Sequence, residues 1–165
     1  MPQVVGWYSS PDGIEEPGTL FRAFFAAEVH SSGSIGMHEI QLRRPWHRMS
    51  EMDRPPLVVD VPDSSAASDC SVTAGDQVMY QRGFNSPTGL TGEDMIGLCI
   101  GAWQGRLVSV QVNGTLFAPA NAPLVLDLSK ILLGFNKIEI TLVSDSGELP
   151  RIIGDVVLRI QQKTS

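Results

Sequence analysis

The chain has 165 residues, 42% of them hydrophobic and 18% charged, which suits one domain with a real core. Eighteen acidic residues outnumber twelve basic ones for a formal charge of -6, so a phosphate-binding surface of clustered Lys and Arg is excluded and no nucleic acid is expected as a partner. No uncharged apolar run approaches the roughly eighteen residues of a membrane span, and MPQVVGWYSSPDG has neither a basic n-region nor an apolar h-region, so no membrane association is expected and the location reads as cytoplasmic.

Along the chain, apolar residues recur with period two more often than with period 3.6. LFRAFFAAEV at 20–29 also fits a helix face through Phe21, Phe24, Phe25 and Glu28, but reads as a strand beside its neighbours. MHEIQLRR is partly alternating through Met37, Ile40 and Leu42. LRRPWHR at 42–48 is the densest basic stretch, balanced by Glu51 and Asp53, and reads as a solvated loop. LVVDV at 57–61 is a short β-branched run, and QVMYQR, MIGLCIGA, LVSVQVN, PLVLDL, NKIEITLV and IIGDVVLRI follow, each bounded by Gly, Pro, Asn or Asp. That is about eight short strands separated by turn signals, which predicts an all-β sandwich or barrel and not a parallel α/β sheet. SKILL at 129–133 predicts one helical turn, with Ser129 as N-cap and Gly134 as C-cap.

In VSVQVNGTLF the apolar residues Val108, Val110 and Val112 share one parity and Ser109 and Gln111 the other, and Asn113-Gly114 supplies the two positive φ angles of a type I′ turn. A hairpin is expected there. Ile138, Ile140 and Leu142 likewise alternate with Lys137, Glu139 and Thr141, so the three valines, Leu126, Ile138, Ile140 and Leu142 are the expected core on facing sheets. Gly134 and Asn136 are expected to turn the chain into the later strand.

The run VQVNG, then DLSKIL, then GFNKIEITL resembles the sugar-binding jelly-roll domain of glycoside hydrolase family 2, with its V-x-V/L-N-G hairpin, D-I/L-x-x-x-L segment and G-x-N-x-I/L-x-I/V strand. Upstream, YQRGFNSPTGL and MIGLCIG are similar to that domain's R-x-F-x-x-P strand and the apolar strand after it. The matching parts cover residues 78–143, and IQLRRPW extends the likeness to position 37. The resemblance implies a galactose-binding-domain-like β-sandwich (jelly roll) of about eight to ten strands, with residues 1–165 as a single domain. It also implies that catalysis belongs elsewhere, since in that family the hydrolytic carboxylates sit in a separate barrel of about 250 residues, for which this chain has no room.

The residues taken alone agree that no enzyme is expected, because there is no G-x-S-x-G elbow, no H-E-x-x-H helix and no phosphate-cradling loop; Gly97 and Gly101 are spaced for strand ends. His30, His38 and His47 have neither the helical spacing of a zinc motif nor the i, i+2 spacing that puts two ligands on one strand face, so neither a metal nor another cofactor is expected. Cys70 lies in a polar stretch and Cys99 in an apolar one, with no paired spacing, so both are expected to be free thiols.

The function expected is non-catalytic carbohydrate binding, in which aromatic rings stack on the C–H faces of a sugar and planar polar side chains bond its hydroxyl pairs. The candidate ligand-binding residues are Trp46, Trp103, Arg44 and Asn85, with Trp7 and Tyr8 as further aromatics. Arg82 matches the family's internal motif and reads as a buttress of the sheet. The alternative is a protein-interaction or assembly module on the same fold, in which exposed aromatics serve a protein partner or self-association and no sugar binds.

Overall fold

Among residues 36–50, 55–65 and 72–162, which the computed structural model describes, the chain forms strands and turns and no helix. The strands are β1 (Met37–Gln41), β2 (Trp46–Ser50), β3 (Leu57–Val59), β4 (Gln77–Asn85), β5 (Met95–Ile100), β6 (Trp103–Gln104), β7 (Arg106–Val112), β8 (Thr115–Phe117), β9 (Leu124–Asp127), β10 (Phe135–Val143), β11 (Arg151–Ile152) and β12 (Val156–Gln161). They make a four-stranded sheet in the order β1-β12-β5-β9, a six-stranded sheet in the order β3-β2-β4-β10-β7-β8, and a two-stranded ribbon of β11 and β6. Every pairing is antiparallel. The all-β sandwich expected from the periodicity is the observed architecture.

Alternation places the core between the two large sheets. Val78, Tyr80 and Phe84 of β4, Val110 and Val112 of β7, and Ile138, Ile140 and Leu142 of β10 meet Ile96, Leu98, Ile100, Leu126, Leu158 and Ile160 of the facing sheet, all buried in one apolar cluster. Six of the seven expected core residues are therefore buried. Val108 is only half-buried, because the β7–β10 register shifts between Thr141 and Leu142: Ser109 faces Thr141 and Leu107 faces Leu142, so Val108 is the extra residue of a bulge and Leu107 takes its place inside.

The Asn-Gly hairpin forms as expected. Asn113 has φ 52° and Gly114 φ 81°, and Val112 pairs with Thr115 across the two-residue loop. The asparagine also ties distant backbone together. Asn113 Oδ1 accepts from Lys137 N–H at 2.9 Å, and Nδ2 donates to the Ile131 carbonyl and to Asn136 Oδ1, each at 2.8 Å. Asn136, fully buried, accepts from Leu133 N–H at 2.8 Å and donates to the Leu133 carbonyl at 2.7 Å. Two residues of the family-like motif thus staple the hairpin, the turn before β10 and the start of β10 into one unit.

Two local expectations are corrected. Residues 128–134 make a single turn, in which the Ile131 and Leu132 amides both bond the Leu128 carbonyl at 3.0 Å. Its cap is Asp127, which accepts from Ser129 N–H at 2.8 Å; the Ser129 hydroxyl is engaged by Ile96 N–H at 2.9 Å. Gly134 lies outside the left-handed region, so it is not a glycine stop. The stretch 42–48 is not a solvated loop either, since Leu42, Trp46 and Arg48 are buried and residues from Trp46 onward form β2 within the six-stranded sheet. The segment 20–29, Trp7, Tyr8, His30 and Cys70 lie outside the described residues; Cys99 is a free, buried thiol. Among the described residues, no helix is long and apolar enough to cross a membrane.

Candidate functional site

The connections at one end of the sandwich shape an open cleft of about 390 Å³. One wall is Trp103, Gly105 and Arg106, where β6 turns into β7; the other is Pro119 to Ala122 of the β8–β9 connection, with Asp145 closing the side from the β10–β11 connection. Gly105 permits this shape. Its φ is 84°, and a Cβ there would stand 2.6 Å from the Val143 carbonyl oxygen, so a side chain would push the turn off the end of β10. Trp103 is half-buried and pairs with Ile152 in the β6–β11 ribbon. The ribbon is braced by Gln104, whose Oε1 accepts from Arg151 Nη2 at 2.9 Å and whose amide donates to Glu148.

Inside the cleft Arg106 Nε meets Asp145 Oδ1 at 3.4 Å, with side-chain exposures of 61% and 56%. An aromatic residue, a guanidinium and a carboxylate therefore line one concave surface, with Asn121 at its edge. That set can stack against an apolar ligand face and exchange hydrogen bonds with hydroxyls. Among the described residues, no three His, Cys, Asp or Glu side chains converge; His38 is on β1 and His47 on β2, both exposed.

Of the four ligand-binding candidates named from sequence, only Trp103 lines this cleft. Trp46 is completely buried, with Nε1–H donating to the Leu42 carbonyl at 2.6 Å, so it offers solvent no face. Arg44 is exposed and held by Asp60 at 2.6 Å. Asn85 is exposed opposite Phe135, at the far end of β4 from Gln77. Gln77 and Arg106 both pair with Val143, which puts Asn85 about 26 Å along the sheet from the cleft end. Arg106, Asn121 and Asp145 were not anticipated, because they come from the start of β7 and two separate connections and no local pattern marks them.

A second polar group, also unanticipated, is internal. Asp63 Oδ2 accepts from Arg48 Nη1 at 2.9 Å and from the Tyr80 hydroxyl at 2.6 Å, while Oδ1 accepts from Ser65 N–H at 2.9 Å. All three side chains are buried. Burial alone would push the Asp63 carboxyl up, but the hydrogen bonds from Ser65, Tyr80 and Arg48 outweigh it and hold the group below the ordinary carboxylate range. Burial, reinforced by Asp63, pushes the Tyr80 phenol up and keeps it neutral.

No protein-family model matches the chain, and no curated protein matches it. Solved structures do. A β-glucuronidase from Faecalibacterium prausnitzii is similar at 15% identity with a TM-score of 0.60, over 81% of this chain and 33% of that enzyme. A β-D-glucuronidase from Dictyoglomus thermophilum gives 22% identity and 0.55 over 81% of this chain and 29% of the other, and a β-D-mannosidase from the same organism gives 12% and 0.58 over 73% and 22%. The chain spans about a fifth to a third of the length of these enzymes. Such structural neighbours are family 2 glycosidases, so the likeness read from VQVNG, DLSKIL and GFNKIEITL holds at the level of fold: this chain has the β-sandwich of one part of those enzymes.

Proposed function

We propose that residues 1–165 act as one non-catalytic carbohydrate-binding module whose ligand lies in the cleft between β6 and the β8–β9 connection. The observation that carries this reading is the half-buried Trp103 beside the exposed Arg106–Asp145 pair in one concave surface. The ring provides a platform for sugar C–H groups, and the exposed pair exchanges hydrogen bonds with water for bonds to ligand hydroxyls. That the neighbouring structures carry the names of sugar-processing enzymes supports carbohydrate as the ligand class. One ring and a few exchanged hydrogen bonds leave a modest surplus after ordering costs, so the expected Kd is roughly 10 μM to 1 mM. Calorimetry with neutral oligosaccharides tests it. Trp103→Ala is expected to abolish binding and, because the ring also packs against the core, to lower the thermal midpoint by several degrees while the domain stays folded at 25 °C; no heat at millimolar sugar with the intact protein would sink the reading.

A protein-interaction module is the second reading, favoured by Phe135. Its side chain is 64% exposed and lies over Gly83, where even a Cβ would meet the ring at 2.4 Å. Leu133, 57% exposed, is two residues away. A concentration-dependent mass in solution that Phe135→Ser abolishes, with no sugar bound, would replace the first reading by this one.

A further inference from the structure

β1 is an edge of the four-stranded sheet and β3 an edge of the six-stranded sheet. Residues 42–45 lead from β1 directly into β2, the partner of β3, and just beyond β3 the Val61 N–H donates to the Arg43 carbonyl at 2.8 Å, so the two edges lie on the same side of the sandwich. Both carry inward-facing side chains that the core does not cover. His38 stands opposite Ile160, Ile40 opposite Leu158 and Leu57 opposite Arg48; the three partners are buried, so His38, Ile40 and Leu57 also point into the sandwich. Yet His38 is exposed, Ile40 is 39% exposed and Leu57 43%. The sandwich is therefore open along this side, as a wedge between the two edge strands.

Among the described residues no strand pairs with the free edge of β1. In an antiparallel pair, residues that exchange both hydrogen bonds with the partner alternate with residues whose N–H and C=O aim away from it, so β1 presents unpaired backbone groups to the open side. Such an edge, with apolar side chains beside it, is a template for a further strand. Thirty-five residues precede Gly36, whose carbonyl accepts from Gln162 N–H at 3.1 Å, so that length of chain enters the fold at this edge. It contains LFRAFFAAEV at 20–29, in which Phe21, Ala23, Phe25, Ala27 and Val29 make one wholly apolar parity while Arg22 and Glu28 fall on the other. HSSGSIG at 30–36 has the length and the Ser and Gly content to reverse the chain between that segment and β1.

We propose that the open side of the sandwich is the docking site of residues 20–29 of this same chain, which pair antiparallel with the free edge of β1 and turn their apolar parity into the wedge. Phe25 fills the gap between Ile40 and Leu57, and the parity with Arg22 and Glu28 faces solvent. The docked segment supplies acceptors and donors to the unpaired half of β1 and covers the apolar side chains that both edge strands leave uncovered. None of these residues lines the cleft, so the docking stands or falls independently of ligand binding there.

The test follows amide hydrogen exchange of residues 37–41 in the full chain by NMR, with the β10 amides as the reference for global opening. All five β1 amides are expected to be protected, those that do not bond β12 included, by at least about a hundredfold over an unstructured chain. A nuclear Overhauser contact between the Phe25 ring and the Ile40 methyl groups is expected with it. Phe25→Ser is expected to return alternate β1 amides to fast exchange while β10 stays protected, and Phe24→Ser, on the solvent-facing parity, to leave the pattern unchanged. Fast exchange of alternate β1 amides in the parent, no contact between Phe25 and Ile40, or equal effects of the two substitutions would each overturn the proposal. Protection that grows with protein concentration as the mass doubles would overturn it as well and assign the edge to a second copy. If Phe25→Ser fails to fold, as lost β10 protection would reveal, the exchange pattern and the Phe25 contact of the parent decide alone.

Discussion

Two guanidinium–carboxylate pairs of the same chemistry sit in opposite surroundings. Arg48 meets Asp63 at 2.9 Å with side-chain exposures of 6% and 1%, whereas Arg106 meets Asp145 at 3.4 Å with 61% and 56%. The inner pair is locked by Tyr80 and Ser65, and the outer one faces the cleft. Water decides the difference: a buried pair cannot lose a partner without leaving a charge desolvated, while an exposed pair gives up little when one partner turns to a ligand. The same side-chain chemistry thus holds the β2–β4 region together at one place and leaves donors and acceptors available at the other.

Breaking the inner pair is expected to have the largest effect. Asp63→Ala removes the buried acceptor of both Arg48 and Tyr80 and is expected to cost about 3 to 5 kcal/mol, measured by urea unfolding; a loss under about 1 kcal/mol would mean that the pair does not hold this region. Acid sharpens the comparison next. The Asp63 carboxyl is held below its ordinary value, so its contribution is complete above the unfolded value of about 3.9 and is lost as pH falls through the lower, folded value. The thermal midpoint of the parent protein is expected to fall more steeply between about pH 4 and pH 2 than that of Asp63→Asn, and parallel curves would contradict the assignment. The smallest effect belongs to the outer pair: Asp145→Ala is expected to cost less than about 1 kcal/mol, and in about 1 M sodium chloride the difference from the parent is expected to vanish. A large, salt-insensitive loss would show that this pair, too, is structural.

What was legible in the sequence was local. Asn113-Gly114 declares its turn through two residues that tolerate positive φ, and the alternation in β10 declares its buried face without help from any other strand. Val108 fails the same rule because a bulge depends on the partner strand, which parity within β7 does not contain. β2 was missed for a different reason. Its inward positions are Trp46 and Arg48, and a charged residue that is buried because Asp63 answers it looks, in isolation, like a solvated one. Trp46 was therefore expected at the surface among its basic neighbours and lies in the core. The cleft was legible only at Trp103; Arg106 at the start of β7 and Asn121 and Asp145 on two later connections line it together, information that sits in the topology and in no single stretch.

The paired asparagines give the hairpin end of the six-stranded sheet a cooperative character. Leu133 stands in a turn, outside any strand, yet its amide is held by Asn136, whose own side chain is bonded to Asn113 at the tip of a hairpin twenty residues earlier in the chain. Opening the turn therefore requires breaking contacts to both β7 and β10, so the three pieces exchange their amide hydrogens as one foldon and not as a fraying loop beside two stable strands. A segment that would otherwise be among the first to loosen acquires the lifetime of the sheet it adjoins.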